Sequence, residues 1–173
     1  MPRMNPDEYA QWLAKQEAKA FPPVSALVDG GGGLDLLDYS AFTWGIRVNL
    51  AGGTAEGLGG ILQIENVTGG SGADDFTADS YSNILTGGLG NDTYHFLNGW
   101  GTDAVIDLSG LDLIDFAAVT VDLVFDFGVA TVVGGGNSLS FAGGDGFVGG
   151  TGNDRFIFVD GVNLLGSLDG REG

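Results

Sequence analysis

Beyond residue 29, apolar side chains recur at one position of a nine-residue cycle built from small and polar residues. Phe76 closes Gly69-Gly70-Ser71-Gly72-Ala73-Asp74-Asp75, and Tyr94 closes Gly87-Gly88-Leu89-Gly90-Asn91-Asp92-Thr93. Phe156 does the same for Gly149-Gly150-Thr151-Gly152-Asn153-Asp154-Arg155. A fourth cycle, Gly30-Gly31-Gly32-Gly33-Leu34-Asp35-Leu36-Leu37-Asp38, opens the region. Degenerate cycles at 60–68 and 78–86 keep Val67 and Leu85 at the apolar position, with Asn83 where the others have Asp. Two looser units follow, Asn98-Gly99-Trp100-Gly101-Thr102-Asp103-Ala104-Val105 and then 107–114. The cycle is G-G-x-G-x-D-x-U-x, with U a large apolar residue. Six turn-forming residues followed by x-U-x predict a turn and one very short strand. A chain of such units coils on itself, and each strand pairs in parallel with the strand two units away.

A longer repeat overlies the short one. Gly33-Leu34-Asp35-Leu36-Leu37-Asp38-Tyr39-Ser40-Ala41-Phe42-Thr43 recurs as Gly110-Leu111-Asp112-Leu113-Ile114-Asp115-Phe116-Ala117-Ala118-Val119-Thr120. Each copy leads into an alternating stretch, Ile46-Arg47-Val48-Asn49-Leu50 or Val121-Asp122-Leu123-Val124-Phe125-Asp126-Phe127, which reads as a half-buried strand. The region 29–173 therefore divides into two related halves, about 33–109 and 110–173. A third copy is expected to start at Leu168-Asp169-Gly170-Arg171, which aligns with Val28-Asp29-Gly30-Gly31. Residues 1–28 differ: Asn5-Pro6-Asp7-Glu8 is a helix start, and Phe21-Pro22-Pro23 is a stop. The predicted helix offers only Tyr9, Trp12 and Leu13 as an apolar face, which suits a cap on the end of the coil.

Composition sharpens this picture. The 173 residues include 33 Gly, no Cys, one His, and 23 Asp and Glu against 6 Lys and Arg, a net charge of −17. From Asp29 to Gly173 there are 20 acids and 3 Arg, so the whole imbalance belongs to the repeat region. A disulfide framework, thiolate metal sites and multi-histidine sites are excluded. No run of 18 apolar residues spans a membrane, and −17 repels phosphate backbones, so nucleic acid is not an expected partner. Of the 20 acids, 17 are Asp, held in glycine turns rather than spread over a surface. Asp ladders repel unless a cation sits between successive turns, and oxygen-only donors specify Ca²⁺ over zinc or copper. No EF-hand loop is present.

These nonapeptides resemble the calcium-binding repeats of the repeats-in-toxin (RTX) family, over about 30–173. The resemblance implies an all-β fold, a right-handed parallel β-roll carrying several calcium ions. It also implies a secreted or cell-surface protein exported by a one-step (type I) system. In that family one turn supplies the carbonyls of positions 2 and 4 and the Asp of position 6, and the turn two units later supplies positions 1, 3 and 6. Carried over, the best site uses Gly70, Gly72 and Asp74 with Gly87, Leu89 and Asp92. A second uses Gly88, Gly90 and Asp92 with Asp107, Ser109 and Asp112, across a two-residue slip after His95. On the opposite edge, Tyr81 and Asn83 with Asn98, Trp100 and Asp103 depart from the pattern. Gly150, Gly152 and Asp154 have only Gly170 and Glu172 as partners, and Gly31, Gly33 and Asp35 have no partner turn 18 residues on.

The remaining chemistry is sparse. His95 fills the last position of a nonapeptide, as a strand-edge histidine would. Trp44 and Trp100 suit packing better than a sugar platform, and the repeat accounts for nearly every Asp, so no enzyme is expected. The leading expectation is a calcium-dependent structural module that folds on extracellular Ca²⁺. The alternatives are a head-to-tail self-assembling unit of an array or fibre, whose partners are further copies of itself, and the non-catalytic tail of a secreted enzyme.

Overall fold

The computed structural model describes residues 24–171, and these are all-β. The helix predicted over the first 20 residues lies outside the described residues. Among those described, no helix is long and apolar enough to cross a membrane.

The first segment of chain forms β1 (Val24–Asp29), β2 (Leu36–Asp38), β3 (Arg47–Asn49), β4 (Thr54–Ala55), β5 (Leu58–Leu62), β6 (Asn66–Thr68) and β7 (Asp75–Thr77). Two plain nonapeptide strands follow, β8 (Ile84–Thr86) and β9 (Thr93–His95). The second segment forms β10 (Thr102–Ile106), β11 (Leu113–Asp115), β12 (Val124–Asp126), β13 (Thr131–Gly134), β14 (Asn137–Ala142), β15 (Gly146–Val148) and β16 (Arg155–Ile157). The last strand is β17 (Leu168–Asp169).

Strands of three residues are too short to stand alone, and here they are stacked into two long sheets. One runs β16-β12-β13-β14-β10-β8-β6-β2, the other β17-β15-β11-β9-β7-β3-β4, and β1 with β5 makes a small third. From β6 to β11, successive strands alternate between the two long sheets. β6 to β9 each pair in parallel with the strand two further on, as the nine-residue period predicts. The antiparallel pairs are β3–β4, β12–β13 and β13–β14, where the alternating stretches of the longer repeat turn back on themselves.

The middle residue of nearly every strand faces inward because side chains alternate across a strand. Val48, Val67, Phe76, Leu85, Tyr94, Ile114, Phe125 and Phe147 are all buried this way, and they form the core between the sheets. Phe96 stacks on Phe116 at 4.8 Å, and Trp100 and Phe125 meet Phe116 edge-on at 5.1 and 5.7 Å. The equivalent residues near the two ends of the stack, Leu37 and Phe156, are only partly buried.

The longer repeat is visible in individual hydrogen bonds. Phe42 N–H to Tyr39 C=O recurs as Val119 N–H to Phe116 C=O, both 2.8 Å. Likewise Asp75 N–H to Ile46 C=O (2.9 Å) recurs as Arg155 N–H to Leu123 C=O (2.8 Å). Pairing order extends the match to β1–β7 against β10–β16: β1 lies parallel to β5 as β10 does to β14. Equivalent elements of the two copies lie in opposite long sheets: β2 with β6 in one, β11 with β15 in the other. Leu168 and Asp169, which align in sequence with Val28 and Asp29, occupy a different place in the sheet. β17 pairs with β15 as β8 pairs with β6, so its structural counterpart is β8.

Candidate metal centre

Turns of the nonapeptide stack along one edge of the two sheets, and glycine is required where they touch. Gly90 has φ +124°, and a Cβ there would run into the Gly72 carbonyl; Gly88, φ +108°, would meet the Gly70 carbonyl in the same way. The contact is sealed by Leu89 N–H donating to Gly70 C=O at 2.9 Å.

Down this edge each Asp carboxylate accepts a backbone N–H from the turn before it. Asp74 Oδ1 accepts from Ile46 (2.9 Å), Asp92 Oδ1 from Asp74 (2.7 Å), Asp112 Oδ1 from Asp92 (2.9 Å), and Asp145 Oδ2 from Asp112 (3.1 Å). The step from Asp74 to Asp92 is 18 residues and from Asp92 to Asp112 is 20. The extra two residues lie in the turn before β10, between Phe96 and Trp100, because Asp103 to Ile106 match Asn83 to Thr86 one for one and Gly101 sits on the Tyr81 carbonyl. The slip therefore leaves the stacking intact on both sides of it: Gly88 lies on Gly70 and Gly90 on Gly72, and the Asp74, Asp92 and Asp112 turns follow one another down the edge.

At the second junction Asp92, Asp107 and Asp112 each present an oxygen within 4.8 Å of the others, and all three residues are buried. Tyr94 O–H donates to Asp107 Oδ2 at 2.7 Å, whereas Asp92 Oδ2 is buried without a hydrogen-bond partner. Burial drives the Asp92 and Asp112 carboxyls well above the ordinary range, and the Asp107 charge adds to this; the N–H each accepts pulls the other way. Asp74 is raised for the same first reason, burial. Three carboxylates in one dry space cannot all be ionised without a counter-charge. They hold protons or they hold a cation, and an all-oxygen donor set with a spare buried oxygen fits a hard divalent ion.

The opposite edge repeats the arrangement with a different donor set. Asn83 N–H donates to Asp103 Oδ1 at 2.9 Å, and Asn83 Nδ2 donates to the Glu65 carbonyl at 3.1 Å. Asp103 Oδ2 is buried and without a partner, and burial pushes this carboxyl up to about 7. Asp35 finds its neighbour 30 residues on rather than 18, its N–H donating to Glu65 Oε2 at 2.9 Å. The detour through β3, β4 and β5 accounts for the longer step, and Glu in place of Asp hides the match in the sequence.

Asp154 mirrors Asp74: Oδ1 accepts from Leu123 (3.0 Å) and Oδ2 from Gly150 (2.8 Å). Gly150 and Gly152 lie against the 119–122 turn, and Glu172 is outside the described residues. Gly31 and Gly33 have no neighbouring atom where a Cβ would stand, so no described turn packs on that face.

The side chains of Asp107 and Asp145, together with the Tyr94 hydroxyl, were not anticipated. Asp107 stands where a plain nonapeptide has its first glycine, and Tyr rather than Phe at a buried U position needs a partner for its hydroxyl. Those were the available signals. His95 lies on the outer face of its sheet, its Nδ1 2.9 Å from Asp115 Oδ2, and Arg47 pairs with Asp75 at 3.1 Å. Comparison with models of protein families, with characterised proteins and with solved structures returns no match to this chain.

Proposed function

We propose that this chain is a calcium-dependent structural module, a right-handed parallel β-roll of the repeats-in-toxin kind, belonging to a secreted or cell-surface protein. The observation that carries the reading is the buried Asp92–Asp107–Asp112 cluster with its unpartnered Asp92 oxygen, set between stacked glycine turns. Its role is binding and folding rather than catalysis.

The physical logic is a switch set by concentration. At cytosolic calcium the Asp ladders repel across closely stacked turns and oppose folding, which keeps the chain compatible with export. Extracellular sites of this donor type bind with Kd of roughly 10⁻⁴–10⁻³ M, so millimolar calcium neutralises the ladders and folds the coil. Far-ultraviolet circular dichroism during a calcium titration at neutral pH tests the proposal. β structure should appear over that concentration range and should need far more magnesium, which tolerates only near-octahedral sites. β structure that persists unchanged in excess chelator would defeat it.

A further inference from the structure

We infer that the chain joins a second copy of itself end to end, with β17 of one molecule pairing in parallel with β1 of the next. The inference rests on the strand topology and not on the calcium reading.

The template is inside the molecule. Where the first half meets the second, β8 and β10 lie parallel with Leu85 opposite Val105 and Thr86 opposite Ile106. Ala104 N–H donates to Asn83 C=O at 2.9 Å and Gly87 N–H to Ile106 C=O at 3.3 Å. β1 is the counterpart of β10 and β17 the counterpart of β8, and each is paired on one side only among the described residues. Placing β17 on β1 in the same register sets Leu168 opposite Val28 and Asp169 opposite Asp29. The N–H of Leu27 then faces the carbonyl of Gly166, and the N–H of Gly170 faces the carbonyl of Asp29.

Two independent features mark these ends as halves of one contact. Leu85 and Val105 are 0% and 1% exposed at the internal junction, whereas Leu168 is 40% exposed and Val28 only partly covered. Asp35 is the counterpart of Asp112, whose carboxylate accepts the N–H of Asp92 from the preceding turn. No turn precedes Asp35 among the described residues, and its Oδ2 is buried without a partner. The register does oppose Asp169 to Asp29, so the contact should tighten as salt or a divalent cation screens that pair. An outgoing edge that fits a receiving edge on the same molecule is a heterologous contact, which adds further copies, as a ring where the rotation closes and as a filament where it does not, rather than stopping at a two-fold dimer.

Sedimentation velocity of the full chain in millimolar calcium, with circular dichroism on the same samples, is the test. The average mass should climb with concentration from 17.7 kDa through its multiples. Leu27→Pro removes the donor that faces the open edge and leaves the β5 side intact; Leu168→Lys puts a charge in the new interface. Each variant should keep the parent dichroism and associate about tenfold more weakly, the loss of one edge contact of about 1.4 kcal/mol. A folded parent that remains at 17.7 kDa, or variants that assemble like the parent, would overturn the junction and leave the calcium reading standing. Assemblies that form equally well in chelator would support the junction while sinking the calcium reading.

Discussion

Without a bound cation, acidification should restore β structure that neutral pH denies the chain, and Asp103 sets the scale of the effect. Its carboxylate is 4% exposed, with Oδ1 held by the Asn83 N–H at 2.9 Å and Oδ2 buried without a partner. Burial lifts it from 3.8 to about 7; the Asn83 hydrogen bond opposes this and the charge of Asp79 adds to it. Three pH units at about 1.4 kcal/mol each give a ceiling of about 4 kcal/mol. Allowing for solvent screening at a turn on the rim of the sheets leaves about 2 kcal/mol. The folded state takes up its proton at higher pH than the unfolded chain. Stability is therefore lowest above pH 7 and rises as pH falls from about 7 toward 3.8. Asp92 and Asp112, also raised by burial, act in the same direction. The assay is circular dichroism in excess chelator from about pH 8 to about pH 5, stopping short of the isoelectric point near 4.1. β signal should grow on acidification in chelator and stay flat in calcium, where the cation keeps the carboxylates ionised. Asp103→Asn keeps the Oδ1 acceptor and removes the charge, so it should stabilise the metal-free fold near pH 8 and flatten its pH dependence. A chelated chain whose spectrum ignores pH over that range, or a variant with the parent's profile, would refute the reasoning.

Three further outcomes follow from the same geometry. Tyr94→Phe removes the donor to buried Asp107 Oδ2 and should cost about 1–3 kcal/mol in urea unfolding at saturating calcium and shift the calcium midpoint of folding, and an unchanged midpoint would argue against a role at the candidate centre. Gly90→Ala forces a Cβ into the Gly72 carbonyl at φ +124°, so it should raise the calcium midpoint of folding, and an unchanged midpoint would mean the turns do not stack as described. Phe116→Ala opens a cavity among Phe96, Trp100 and Phe125 and should lower stability by about 3–5 kcal/mol; a loss under about 1 kcal/mol would show that this aromatic column is not packed in solution.

Much of the architecture was legible because the nonapeptide is a local instruction. Its glycines and Asp fix a turn, and its U residue fixes which side chain enters the core, so Phe76, Tyr94, Val67 and Leu85 could be placed without any long-range contact. The parallel pairing two strands away is the same instruction repeated. The candidate centre was legible in part: Asp74, Asp92 and Asp112 follow from turn position. Asp107 could be read only as a carbonyl donor, because a side chain at a glycine position has no place in the repeat. The grouping of Asn83 with Asp103 followed from turn position even with an amide where the pattern calls for Asp.

The amino-acid sequence by itself determined the phase of the coil, the location of the acidic turns and the existence of two related halves. Only the tertiary structure decided which turn meets which. The β3–β5 and β12–β14 excursions insert residues between turns that end up adjacent, so Asp35 meets Glu65 across 30 residues and Asp112 meets Asp145 across 33. The placing of equivalent strands in opposite sheets is likewise visible only in the pairing. A local period specifies each step along the chain, whereas contacts across the stack depend on the total length of chain between them.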